Sequence, residues 1–117
     1  MNLEKIRDFV KVLDEKLAQD IIVIDMEKAS VLYDAFIICS ADNMRLSKSL
    51  VDYLEVMADQ KGYVINSVAG AGESDWVLID AQDVIVHIFS GNARHVYNLE
   101  KLWSDCDQMD GLTCMKS

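Results

Sequence analysis

The chain has 117 residues, 51% of them hydrophobic and 26% charged, with a formal net charge of −9. That length suits one domain around one core, and a balanced composition without low-complexity runs excludes a disordered or fibrous chain. The acidic balance argues against sequence-specific nucleic-acid binding, which needs cationic neutralisation of phosphates, and no apolar run nears the roughly 20 residues that span a membrane.

The opening stretch "MNLEKIRDFVKVLDEK" is charged at helical spacing and holds no apolar signal region, so the expected compartment is cytoplasmic. Leu3, Ile6, Val10, Leu13 and Leu17 recur at intervals of three and four, which predicts a helix over 3–18 capped by Asn2. Its other face, with Glu4, Lys5, Arg7, Asp8, Lys11 and Glu15, is expected to be solvated. "DIIVIDM" (20–26) and "AFIICSA" (35–41) are continuous apolar runs, the pattern of strands buried on both faces. Cys39, inside the second run, reads as a small hydrophobe, and with Cys106 and Cys114 the cysteine count is odd, so no disulfide framework is expected.

Asp42 or Asn43 then caps a second helix, whose stripe of Leu46, Leu50, Tyr53, Leu54 and Met57 runs until Gly62. "YVINSV" (63–68) alternates weakly as a strand, and "AGAGES" (69–74) reads as a mobile loop because its glycines carry no side chain to pack. "DWVLIDAQDVIVHIF" (75–89) is a hairpin of two alternating runs around a turn at Ala81–Gln82. With Asp80 facing Asp83, Leu78 pairs with Ile85 and Trp76 with His87; both faces are apolar, so both must be covered. "SGNARHVYNLEKLW" predicts a third helix capped by Ser90 or Asn92, with Val96, Leu99 and Leu102 or Trp103 facing inwards. The remainder, 104–117, has no sustained period and is expected to fray. The order αββαβββα defines an α/β single domain, a mixed five-stranded sheet flanked by helices.

Little in this pattern points to catalysis. His87 and His95 lack metal-ligand spacing, and no Cys-x-x-Cys occurs, so neither a metal nor another cofactor is expected. The glycines of "AGAGES" lack the phosphate-loop pattern and are followed by Glu73 and Asp75, which repel phosphate. Asp25 and Glu27 have the alternate carboxylate spacing of metal-dependent transferases, but without a Gly-Ser turn or a third acid they read first as a strand ending in solvent. Trp76 opens the hairpin beside a flexible loop, where it is either an exposed binding anchor or a core residue beneath the third helix.

The hairpin "DWVLIDAQDVIVHIF", followed by "ARHVYNLEKLW", resembles the Iojap family, the ribosomal silencing factors, whose hallmark is W-V-L-x-D-x-x-D-V-x-V-H-x-F and then A-R-x-x-Y-x-L-E-x-L-W. The resemblance extends back through "AQDIIVIDMEKASVLYDAFIICSADNMRLSKSLVDYLE", leaving only the tail after Trp103 outside, so that 1–103 is the expected domain. It departs at the turn, where members usually carry a glycine and this chain has Ala81–Gln82. The resemblance implies a nucleotidyltransferase-like fold without catalytic residues. It also implies a non-enzymatic factor that binds the large ribosomal subunit through ribosomal protein L-fourteen, at the intersubunit face, and keeps the small subunit from joining when nutrients are scarce. Carried onto matching positions, the contact surface would comprise Trp76, Leu78, Asp80, His87 and Phe89 of the hairpin with Arg94, Tyr97 and Asn98 of the helix. Two other readings stay open: a divergent nucleotidyltransferase using Asp25 and Glu27, and a homodimer that buries the Trp76 face.

Overall fold

The computed structural model describes residues 2–116, with side chains to Thr113. In chain order the elements are α1 (Leu3–Glu15), β1 (Gln19–Asp25), β2 (Ala35–Ala41), α2 (Met44–Lys61), β3 (Ser67–Ala69), β4 (Trp76–Ala81), β5 (Val84–Ser90), α3 (Ala93–Tyr97), α4 (Leu99–Leu102), β6 (Gln108–Asp110) and α5 (Gly111–Lys116). The strands form one mixed sheet in the order β3-β4-β5-β2-β1-β6. β2 and β5 run parallel at its centre, and the other neighbours are antiparallel.

The sheet's two faces are covered unequally. On one face Ile6, Phe9, Val10 and Leu13 of α1 and Leu50, Val51 and Leu54 of α2 pack on Val23, Ile37, Cys39, Val77, Ile79, Val86 and Ile88. On the other, Ile24, Ile38 and Phe89 form a smaller cluster with Met26 and with Ala93 and Leu99 of the two short helices. The two-sided burial expected of the continuous apolar strands is present, and β5 is buried along its whole length.

Asn43 caps α2, its Oδ1 accepting from the Leu46 amide at 2.8 Å. Gly62 ends that helix at φ +78°, with the Tyr63 amide donating to the Ala58 carbonyl and the Gly62 amide to Asp59. α1 stops earlier than its periodicity predicts, in the same arrangement: Ala18 donates to Leu13, Leu17 donates to Asp14, and Leu17 takes φ +74° without being glycine. Leu17 thus leaves the apolar stripe and is exposed. Lys5 also departs from expectation. It is buried rather than solvated, and its ammonium donates to the Ala81 carbonyl and to Asp83 Oδ1, each at 2.6 Å.

Those bonds help explain a second difference, in the hairpin. Trp76 pairs with Phe89, Leu78 with His87 and Ala81 with Val84, a shift of two positions from the expected register that puts the turn at Gln82–Asp83. A two-residue shift keeps every side chain on its expected face, because strand side chains alternate with period two. It gives the positive φ (+72°) to Gln82, whose amide donates to Asp80 Oδ1, and leaves the Asp83 carbonyl to accept from the Asp34 amide.

The third helix is broken. Asn98 takes φ +47° and separates α3 from α4, so Val96 and Leu102 point outwards while Leu99 is buried and Trp103 half-buried. The segment 69–74 is a wound turn rather than a loose loop: Glu73 and Ser74 amides donate to the Gly70 carbonyl. A Cβ on Gly70 would stand 2.6 Å from the Trp76 carbonyl oxygen, which requires glycine there. Finally, the tail adds a sixth strand instead of fraying. Residues 108–110 pair with Ile22, Val23 and Ile24 of β1, and Gly111 lies close against Ile21 and Val10. Cys39 and Cys106 are free thiols, and the side chain of Cys114 lies outside the described residues, as do Met1 and Ser117.

Candidate functional site

Alternation along the central strands sets the lightly covered face. β4 contributes Trp76, Leu78 and Asp80 to it, β5 contributes Ile85, His87 and Phe89, and β2 contributes Phe36, Ile38 and Ser40. α3 and α4 span five and four residues, too few to cover so wide a face. Tyr33, Phe36, Trp76, Leu78 and Trp103 therefore remain half-buried, and Tyr97 is exposed.

The aromatic rings form a connected platform. Tyr97 packs on Trp76 with ring centroids 4.6 Å apart, and Trp76 packs on Phe89 at 5.3 Å. Phe36 meets His87 edge to face at 4.8 Å, Tyr33 at 5.9 Å and Trp103 at 6.0 Å. The Trp76 indole Nε1–H donates to His87 Nδ1 at 3.1 Å, a diagonal cross-strand bond. Burial pushes the His87 imidazole down to about 4 from its ordinary 6.5, so the ring is neutral at physiological pH.

The residues the resemblance selects fall into two layers. Trp76, Leu78 and Asp80 are half-buried at the surface, and Tyr97 and Asn98 are exposed. His87 and Phe89 are only 4% and 1% exposed, so they support that surface from beneath instead of forming it. Arg94 is engaged within the chain: Nε donates to Glu100 at 2.9 Å and a terminal nitrogen donates to Ser40 Oγ at 3.0 Å, tying α3 to α4 and to β2. Asp80 accepts from the Gln82 amide and Asn98 bridges the two helices by its backbone. Phe36, Tyr33 and Trp103 join the face without having been selected. For Phe36 the sequence signal is the alternation of β2, which becomes informative only once β2 is known to pair with β5.

Glu73 and Asp75 are exposed next to Trp76, in a chain whose formal net charge is −9. Asp25 and Glu27 lie at the far end of β1, where Asp25 Oδ1 accepts from the Glu27 amide at 3.0 Å in a local turn. Among the described residues no group of three or more His, Cys, Asp or Glu is placed to hold a metal ion, and no helix is long and apolar enough to cross a membrane.

Comparison with known proteins gives a consistent family. The family model described as "Ribosomal silencing factor during starvation" matches residues 2–116, so the match includes the tail after Trp103. The ribosomal silencing factor of Bacillus subtilis is 38% identical over 97 residues, covering 83% of this chain and 82% of that protein. That of Halalkalibacterium halodurans is 33% identical over 109 residues, 93% of each. A mouse protein named "Mitochondrial assembly of ribosomal large subunit protein 1" is 30% identical over 100 residues, 81% of this chain and 43% of its own. A crystal structure from Chromobacterium violaceum superposes with a TM-score of 0.81 at 30% identity, covering 89% of this chain and 88% of that one. One from Bacillus halodurans also gives 0.81, at 32% identity, over 93% and 99%. With its fold, and all but the ends of its sequence, matched in this way, the chain belongs to the ribosomal silencing factors, a regulatory and non-enzymatic family.

Proposed function

We propose that this protein represses translation under nutrient limitation by binding the large ribosomal subunit through ribosomal protein L-fourteen, at the intersubunit face, and blocking subunit joining. The observation that carries the reading is the lightly covered face: a half-buried tryptophan stands on a buried aromatic layer beside the exposed Glu73 and Asp75. Tryptophan in such a setting is a typical interface anchor, and acidic groups around it favour a basic protein surface over nucleic acid. Trp76, Leu78 and Tyr97 make the apolar contact, Asp80 and Asn98 form the polar rim, and His87, Phe89 and Arg94 hold the face together from within. The mouse relative's name, which refers to assembly of the large ribosomal subunit, supports the choice of subunit.

The test is sedimentation of separated subunits under joining conditions, with wild-type protein and with Trp76→Ala, alongside thermal melts of both. Wild type is expected to hold subunits apart, and Trp76→Ala to let them join while its melt, lowered by the lost ring packing, stays cooperative and above the assay temperature. Unimpeded joining in the presence of wild type overturns the reading. A homodimer through the same face is the second reading, favoured by the exposed Val96, Tyr97 and Leu102. Light scattering decides it: mass that rises with concentration supports self-association, and a constant monomer mass removes it.

A further inference from the structure

We propose that His87 is a positioning residue, which holds the Trp76 indole in the orientation the partner recognises; this rests on Trp76 being the anchor. The two residues are not directly opposite. Leu78 faces His87 and Phe89 faces Trp76, so the Trp76–His87 hydrogen bond crosses the hairpin diagonally at 3.1 Å.

To accept the indole proton, His87 Nδ1 must be bare, which places the ring's own proton on Nε2. Nε2 is buried and has no hydrogen-bond partner among the described residues. A buried donor without a partner is destabilising, and Phe36, Ile38 and Phe89 around it would accommodate an apolar ring. Packing alone therefore gives no reason for histidine at this position. The bond to Trp76 does.

The two partners differ in how firmly their strands and neighbours enclose them. His87 lies in β5 between β4 and β2, against Phe36 at 4.8 Å, and is 4% exposed. Trp76 is the first residue of β4, follows the glycine turn, and lies outside the pairing with β3, which engages only Leu78, Ile79 and Asp80. A half-buried side chain at such a place would sample several rotamers, and fixing it beforehand lowers the entropic cost of association. The bond also uses the indole's sole donor. What Trp76 offers a partner is ring carbon, so the complementary pocket is an apolar cleft within a basic surface, with no acceptor needed at its floor.

The test combines nitrogen NMR of labelled wild type with binding to purified large ribosomal subunits by three variants. In wild type the His87 ring is expected to be protonated at Nε2, with a coupling to the Trp76 indole nitrogen across the bond; protonation at Nδ1 overturns the proposal. His87→Asn keeps an acceptor near the Nδ1 position and is expected to bind within about threefold of wild type, whereas His87→Phe loses about tenfold or more and displaces the Trp76 indole resonance. His87→Phe binding like wild type, while Trp76→Ala does not, overturns the positioning role and leaves the anchor standing. Trp76→Ala binding like wild type instead removes the anchor reading itself. If His87→Phe does not fold, the wild-type tautomer and the His87→Asn affinity decide.

Discussion

Replacing Lys5 by methionine tests how much one buried cation contributes to fastening α1 to the hairpin. Lys5 Nζ donates to the Ala81 carbonyl and to Asp83 Oδ1, both at 2.6 Å, with 6% of the lysine side chain and 37% of the aspartate side chain exposed. Methionine keeps the apolar stem and removes both bonds. Asp83 is more than a third exposed, so water restores most of its solvation and the ion pair counts for little. The Ala81 carbonyl loses a charged donor in a buried setting, and bonds of that kind contribute roughly 1.5–3 kcal/mol. Relief from burying an ammonium offsets part of this, so the expected loss is about 2 kcal/mol, or roughly 8 °C in melting temperature for a domain of this size. Urea unfolding at neutral pH is the assay, with the midpoint falling and the slope unchanged. Asp83→Asn is the control and should lose under about 1 kcal/mol. Lys5→Met within about 0.5 kcal/mol of wild type, or Asp83→Asn costing as much as Lys5→Met, would refute the reasoning.

Three further changes probe separate features. Gly111→Ala would place a methyl 2.6 Å from Ile21 Cγ2 and 3.1 Å from Val10 Cγ1, so about 1–3 kcal/mol of stability should be lost, and an unchanged midpoint in urea would show that the tail is not packed there. Leu17→Gly should stabilise by up to about 1 kcal/mol, because Leu17 holds φ +74° while exposed; calorimetry showing a lower melting temperature would contradict that account. The third concerns acid. With His87 pushed from 6.5 to about 4 by burial, the unfolded chain takes up a proton between those values that the folded chain refuses. Its contribution is present above pH 6.5 and is lost as pH falls through 4, a total of about 3 kcal/mol. Stability plotted against pH should fall more steeply for wild type than for His87→Phe between 6.5 and 4, with matching slopes outside that window; parallel acid losses in the two proteins would assign the effect to carboxylates instead.

Local periodicity was enough to place α1, α2 and the four long strands, and to assign Trp76, Leu78, His87 and Phe89 to one face, since alternation survives even the two-residue shift of the hairpin register. Gly62 and Asn43 marked the ends of α2 because capping depends on residues within one turn. Features set by distant partners were not legible. Lys5 belongs to the polar side of its helix by spacing, and its burial depends on the Ala81 carbonyl, 76 positions away. β6 is three residues long, too short for any period, and exists because β1 offers it an edge. Asn98 breaks a helix that reads as continuous, and that break exposes Val96 and Leu102 and lets Tyr97 lie over Trp76. Alternation could therefore say which residues share the face. Which of them reach solvent depended on how much of the sheet two short helices cover, and that is a property of tertiary packing alone.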